Sequence, residues 1–188
     1  MPTRGELGKS LMLSISHIPH GRSNRSGSPL QPKYITVHNT ENSSIGADAE
    51  AHANFLSKTG YYIHNGSKRW VSWHFTVDDD SCVRHLPLNE VGWHAGSSQG
   101  NAHSLGIEIC MNKGINQNRA FDRTKTLIAC LCYDLNLEPE SRVVTHRHWS
   151  GKNCPRLLLN NGQEGAIWQA FIADVRAILN SIDDPAQI

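Results

Sequence analysis

Residues Tyr34-Ile-Thr-Val-His38 form a short run of β-branched and aromatic side chains, which predicts a strand that ends on a histidine. The turn-rich polar segment before it, His20 to Lys33, predicts a surface loop. Alternation in Val71-Ser-Trp-His-Phe-Thr-Val77 predicts a second strand. The acidic cluster at 78–81 then predicts a hairpin turn into a strand over 82–86, and a further strand is predicted over 104–111.

Three helices are predicted over 46–59, 122–135 and 164–180, from apolar residues at helical spacing and from helix-end signals. Strands interleaved with helices, without strict βαβ repetition, indicate an α/β fold with a mixed central β-sheet flanked by about three helices. We expect one domain over 1–188 with its core at about 21–182, and no element is predicted over 1–19.

The composition is that of a globular protein large enough for its own core: 188 residues, 38% hydrophobic and 19% charged. Eighteen Lys and Arg against seventeen Asp and Glu give a net charge of +1, which argues against nucleic-acid or anionic-membrane binding. The apolar run at 11–15 is too short for a secretion signal, and no stretch is long enough for membrane insertion. We expect cytoplasmic synthesis without a signal peptide, a monomer, and no disulfides among the five cysteines.

The candidate metal ligands are two imidazoles and one thiolate: His38, His146 and Cys154. They are scattered along the chain, which fits a catalytic zinc with three protein ligands and one open position better than a closed structural site. A glycine and a proline near Cys154 favour a loop that could bring Cys154 and His146 to one ion. Taken singly, His38 also fits an ordinary strand-end histidine and Cys154 a buried thiol, and His148 is a rival to His146.

Two further residues could carry acid–base and electrostatic chemistry. Glu108 lies between Ile107 and Ile109 in a predicted strand, so it points away from both; it is either a solvent-facing carboxylate or a general base that takes a proton from zinc-bound water. Lys152 lies two residues before Cys154, and it is either a loop lysine or a cation that stabilises the oxyanion formed when an amide is attacked.

The candidate substrate-binding residues are Trp93, His94, His74 and Asn39. Trp93 and His94 combine an aromatic face with a hydrogen-bonding ring in a glycine-flanked loop, which suits a sugar or a peptide and equally suits ordinary packing. His74, between Trp73 and Phe75, is either a pocket wall or a support for a metal ligand.

These residues lie in segments that resemble zinc-dependent N-acetylmuramoyl-L-alanine amidases of type 2, the family that includes peptidoglycan-recognition proteins. The resemblance covers about 21–159 and is greatest to phage endolysin and bacterial autolysin amidase domains. The segments are GRSNRSG (21–27), YITVHNT (34–40), SWHFTVDDD (72–80), VGWHAG (91–96), SLGIEIC (104–110) and HRHWSGKNCPR (146–156).

The resemblance implies a role for five residues. The zinc ligands of the family fall on His38, on His146 eight residues before the cysteine, and on Cys154, with one Zn²⁺ per chain. The glutamate of the Gly-Ile-Glu strand falls on Glu108 as the general base, and the lysine two residues before the metal cysteine falls on Lys152.

The resemblance also implies the reaction: hydrolysis of the amide between N-acetylmuramic acid and L-alanine of peptidoglycan, in the cell wall or periplasm after release. Many such lysins carry a separate wall-binding module, which we do not expect here. Three alternatives remain: a non-catalytic peptidoglycan receptor or regulator, a cytoplasmic amidase that recycles anhydro-muropeptides, and a cysteine hydrolase. The first two classes typically lack a cysteine at the third ligand position.

Overall fold

The computed structural model describes residues 1–183, and a six-stranded mixed β-sheet lies at its centre. The order across this sheet is β1-β6-β5-β7-β2-β8, in which only β5 and β6 pair antiparallel. Strands β3 and β4 form a separate antiparallel hairpin. The bounds are β1 (Leu13–Ile15), β2 (Tyr34–Asn39), β3 (Tyr61–His64), β4 (Ser67–Trp70), β5 (Phe75–Val77), β6 (Cys82–Arg84), β7 (Ser104–Ile109) and β8 (Val143–Thr145).

Two long helices cover one face of the sheet and build the main core. Apolar side chains of β2 and β7, including Val37 and Ile107, pack in one buried cluster with side chains of both helices, including Ile128 and Phe171. The helices are α1 (Arg4–Ser10), α2 (Ala49–Lys58), α3 (Ser98–His103), α4 (Gln117–Leu135), α5 (Pro139–Arg142), α6 (His146–Ser150) and α7 (Ala166–Asn180), with a short 3-10 helix at Arg156–Leu158; the core helices are α4 and α7.

The alternation of side chains along β2 and β7 determines where polar groups can lie. Val37, Ile107 and Ile109 point into the core, so the residues between them, His38 and Glu108, point to the opposite face. The parallel register pairs His38 directly with Glu108. The two side chains that the sequence singled out from separate segments are therefore neighbours on one face.

The predicted mixed α/β architecture is confirmed. The differences lie at element ends and in elements that were not predicted, including α1, α3, α5, β1, β3, β4 and β8. Helix α4 begins five residues earlier than predicted, because the Asn116 side chain accepts a hydrogen bond from Arg119 N (3.2 Å) and caps it. The predicted strand at 71–77 is regular only over β5, because Ser72 N donates to Trp93 O in a loop. Residues 1–19, for which no element was predicted, form α1 and the edge strand β1.

The predicted surface loop at 20–33 is held down by a nearly buried ion pair. Arg25 donates from Nε and Nη2 to the two carboxylate oxygens of Glu90, both at 2.8 Å, and their side chains are 5% and 11% exposed. Removing one partner of such a pair typically costs about 3–5 kcal/mol, because the other charge stays buried and unpaired. The loop is thus a fixed part of the fold.

All five cysteines are buried free thiols, as expected from the sequence. Over residues 1–183, no helix is both long and apolar enough to cross a membrane.

Candidate metal and substrate site

Three buried donor atoms converge at the carboxyl ends of β2 and β8. His38 lies near the end of β2, His146 directly follows β8, and Cys154 lies in the loop after α6. His38 Nδ1 is 3.0 Å from His146 Nδ1 and 3.9 Å from Cys154 Sγ. The donor atoms of the three residues lie within 4.8 Å of one another, a spacing that could accommodate one metal ion.

The loop that carries His146 and Cys154 starts with one turn of helix. Thr145 caps α6 by accepting from His148 N at 3.1 Å, and Gly151 ends the helix with φ 75°, a conformation that favours glycine. Arg147 N donates to Cys154 O at 3.0 Å and closes the loop. The sequence prediction of a loop in place of a continuous helix is correct apart from this turn, and the exposed His148 is not part of the donor cluster.

The electrostatics of the three donors favour a cation at their centre. Burial lowers the pKa of His38 well below its ordinary value and that of His146 to about 4, so both rings are neutral and each offers a lone pair. Burial raises the pKa of the Cys154 thiol to about 12, so the thiolate needs a metal ion beside it. Two imidazoles and a cysteine are a donor set that fits zinc.

Glu108 is the acidic neighbour of this cluster. Its Oε1 is 3.9 Å from His38 Nδ1, and its buried Oε2 has no hydrogen-bond partner within the part of the chain that the structure describes. Burial raises the pKa of Glu108 well above its usual value, and the Lys152 charge partly offsets this. With its side chain 14% exposed, Glu108 is not the solvent-facing carboxylate of the alternative interpretation.

Lys152 is exposed and lines the same cavity as the donor cluster. Its positive charge contributes, after burial, to the lowered pKa values of His38 and His146. The ammonium group is thus electrostatically coupled to the site, as a cation that acts on a bound carbonyl must be.

The cavity has a volume of about 940 Å³ and extends from the donor cluster to the β3–β4 hairpin. Trp93, a predicted substrate-binding residue, lines it. The hairpin contributes residues that the sequence reasoning missed: Tyr62, Lys68, Arg69 and Trp70. The signal was present, because Asn65-Gly66 is a strong hairpin signature, and aromatic residues lie on both sides of it at 61–62 and 70.

Residues 28–157 match the Amidase_2 family of N-acetylmuramoyl-L-alanine amidases, and this span includes all three donors, Glu108 and Lys152. The chain belongs to this family. It is 44% identical over 160 residues to the N-acetylmuramoyl-L-alanine amidase XlyA of Bacillus subtilis, an alignment covering 84% of the chain and 49% of XlyA. It is also 44% identical over 158 residues to the amidase CwlH of that organism, covering 82% of the chain and 57% of CwlH.

The solved structure of the XlyA catalytic domain matches the chain with a TM-score of 0.75 at 44% identity, covering 87% of the chain and 98% of that domain. The family resemblance and the fold predicted from sequence are therefore confirmed. The chain spans about half the length of the curated amidases that it matches.

Three of the predicted substrate-binding residues form hydrogen bonds inside the protein. Asn39 lines the cavity, and its Oδ1 accepts from Leu157 N at 3.0 Å, whereas its Nδ2 has no hydrogen-bond partner within the described residues. His74 is fully buried between Glu90 O and Gly106 N, at 2.9 and 3.0 Å. His74 does not line the cavity, so the pocket-wall interpretation fails for this structure.

His94 lies on the wall of the cavity, but both of its ring nitrogens are engaged inside the protein. Nδ1 is 3.0 Å from His38 Nε2, and Nε2 is 3.3 Å from Ser104 O. Burial lowers the pKa of His94 to about 3, so the ring is neutral. His94 therefore contacts a metal-ligand candidate rather than offering a free ring nitrogen to a substrate.

Proposed function

We propose that this chain is a zinc-dependent N-acetylmuramoyl-L-alanine amidase that hydrolyses the amide between N-acetylmuramic acid and L-alanine of peptidoglycan. The observation that carries the proposal is the pairing of a buried His38–His146–Cys154 donor set with the unpartnered carboxylate oxygen of Glu108, in one cavity. Membership of the amidase family supplies the bond and the substrate class.

The residues divide the chemistry between them. A zinc ion held by the two histidines and Cys154 would activate water and polarise the amide carbonyl. Glu108 Oε2 has no competing partner among residues 1–183, so it can accept the proton of the attacking water and return it to the departing amine of L-alanine. The raised pKa of Glu108 helps it to hold that proton between the two transfers.

Lys152 stabilises the transition state of the reaction electrostatically. Its ammonium group is exposed in the cavity, so it can approach the carbonyl oxygen on which negative charge develops during attack. A fixed charge aimed at that oxygen stabilises the transition state more than the ground state. Lys152 therefore acts on turnover rather than on binding.

The hairpin end of the cavity suits the stem peptide, which is the peptide of peptidoglycan that begins with L-alanine. Lys68 Nζ lies 4.3 Å from the Tyr61 ring centroid and 5.6 Å from that of Trp70, so the cation is stacked on aromatic faces. Exposed Lys68 and Arg69 form no ion pair with an acidic residue within 1–183, which leaves them available for carboxylates of the peptide. Trp93 lines the same cavity and offers a flat apolar surface.

We further propose that the chain acts as one catalytic domain, with its core at about 21–182, working as a monomer on peptidoglycan of the cell wall. Two alternatives are less favourable on the residues present. A non-catalytic receptor or a recycling amidase does not require the Cys154 ligand. A cysteine hydrolase requires a reactive thiolate, whereas burial raises the pKa of Cys154 to about 12.

Digestion of purified peptidoglycan tests the proposal. The expected result is new N-terminal L-alanine without new reducing sugar, lost on treatment with a zinc chelator and restored by added zinc. New reducing ends would indicate a glycosidase, and undiminished activity after chelation would indicate the cysteine hydrolase. Binding of peptidoglycan without cleavage, in protein with one zinc per chain, would indicate the receptor.

A further inference from the structure

A buried chain of hydrogen-bonding groups lies behind the metal-ligand candidate His38. Ser104 O is 3.3 Å from His94 Nε2, and His94 Nδ1 is 3.0 Å from His38 Nε2. His38 and His94 are 1% and 9% exposed. Water is thus largely excluded from this row of groups. The position of each proton therefore depends on the hydrogen bonds between the protein groups themselves.

The positions of the protons follow from the groups at the ends of this row. A carbonyl oxygen can only accept, so the contact with Ser104 O requires the His94 proton on Nε2. His38 Nδ1 lies in the donor cluster, so a ring that binds a metal there keeps its proton on Nε2 and donates it to His94 Nδ1. His38 Nδ1 is left with a free lone pair, directed at the donor cluster.

The second histidine ligand lies against the same loop. A Cβ added at Gly96 would lie 3.3 Å from His146 Nε2, so that nitrogen faces this loop. The His38 and His146 Nδ1 atoms face each other at 3.0 Å, an arrangement that a shared cation would satisfy.

The position of His94 is itself tightly determined. Asn101 Oδ1 accepts from His94 N and Ala95 N, at 2.9 and 2.8 Å, and so holds the loop backbone. A Cβ at residue 106 would lie 2.6 Å from His94 Cγ, so only glycine leaves room for the ring on this side. Backbone and ring are both fixed, as expected of a group that orients another.

We propose that His94 is a positioning residue that sets the tautomer and orientation of His38, and through them the affinity for the metal. The loop 94–96 then orients both histidine ligands from behind, and His94 has no direct role in holding substrate. The inference rests on the metal site of the proposed function, but not on the identity of the bond that is cleaved.

The test compares three variants with the wild-type protein by competition for zinc with a chromophoric chelator. His94→Leu removes the acceptor, and zinc affinity should fall roughly 10–100-fold, the usual cost of losing the outer partner of a ligating histidine. His94→Asn keeps an oxygen near the position of Nδ1 and should restore most of the affinity. His148→Ala, an exposed histidine of the same segment as His146, is the matched control and should bind zinc normally.

Nitrogen-15 NMR of the zinc-loaded wild-type protein gives a readout that does not depend on the folding of a variant. The expected spectrum has protons on Nε2 of both His38 and His94, and none on His94 Nδ1. A proton on His94 Nδ1, or equal zinc affinity of folded His94→Leu and the wild type, would overturn the inference. Failure of the wild type to bind zinc would instead contradict the proposed function.

Discussion

The two ends of the cavity are built on different principles. At the end with the metal-ligand candidates, the metal end, His38 and Glu108 are set side by side by the register of two central parallel strands, and their surroundings are buried. At the other end, the β3–β4 hairpin pairs only with itself among the described strands, and Lys68 and Arg69 are exposed. Chemistry needs groups that hold their geometry, whereas recognition of a flexible peptide tolerates adaptable ones. Substitutions at the metal end should therefore lower zinc binding or turnover, whereas substitutions at the hairpin end should raise the Michaelis constant.

The largest effect is expected for Cys154→Ser, which replaces a thiolate ligand with a neutral hydroxyl. Loss of a residue that only hydrogen-bonds a metal-binding histidine costs roughly 10–100-fold in zinc affinity. Loss of the Cys154 ligand itself should lower zinc affinity by more than this, and turnover should fall with it. Metal content after gel filtration, with titration against a chelator, measures this. Cys130→Ala, at a buried thiol outside the donor cluster, should keep its zinc. Full zinc occupancy in Cys154→Ser would remove Cys154 from the site.

Glu108→Ala separates chemistry from metal binding at the same end of the cavity. Turnover should fall roughly 10²–10⁴-fold, the usual range for a lost general base, with one zinc per chain retained. The melting temperature of this variant should not fall, because Glu108 Oε2 is buried without a hydrogen-bond partner among residues 1–183, and the substitution removes that cost in folding free energy. Single-turnover kinetics, metal analysis and thermal melts are the measurements. Loss of zinc, or near wild-type turnover, would contradict the assigned role.

Lys152→Ala tests the exposed cation beside the buried cluster. A charge that acts on the oxyanion works mainly in the transition state, so turnover should fall on the order of 10²–10³-fold while the Michaelis constant changes little. Zinc content and stability should remain close to wild type, because an exposed lysine contributes little to folding. The measurement is steady-state kinetics on a soluble muropeptide. A rise in the Michaelis constant alone would make Lys152 a binding residue.

The same contrast explains what could be predicted from the sequence. His38 and Glu108 could be singled out because each lies on a strand that is visible locally, and residues 145–155 carry the other candidate ligands in one short segment. The role of His94 depends on a contact with a residue 56 positions away, which no local pattern encodes. Asn39 likewise contacts Leu157, 118 positions away. Residues 65–66 carry a hairpin signal that the sequence shows, but the sequence does not show that this hairpin lines the cavity.

The smallest effect is expected at the hairpin, for Arg69→Ala. Arg69 pairs across the hairpin with Tyr62, and both line the cavity, so its guanidinium can meet a carboxylate of the stem peptide. An exposed ionic contact is worth at most about 1 kcal/mol, so the Michaelis constant should rise up to roughly fivefold with turnover unchanged. Salt screens exposed charges, so the difference from wild type should shrink as ionic strength rises. Lys33→Ala removes an exposed cation outside the cavity and should leave both constants unaltered. If Arg69→Ala lowers turnover at an unchanged Michaelis constant, the hairpin belongs to the catalytic end, and the division between the two ends is wrong.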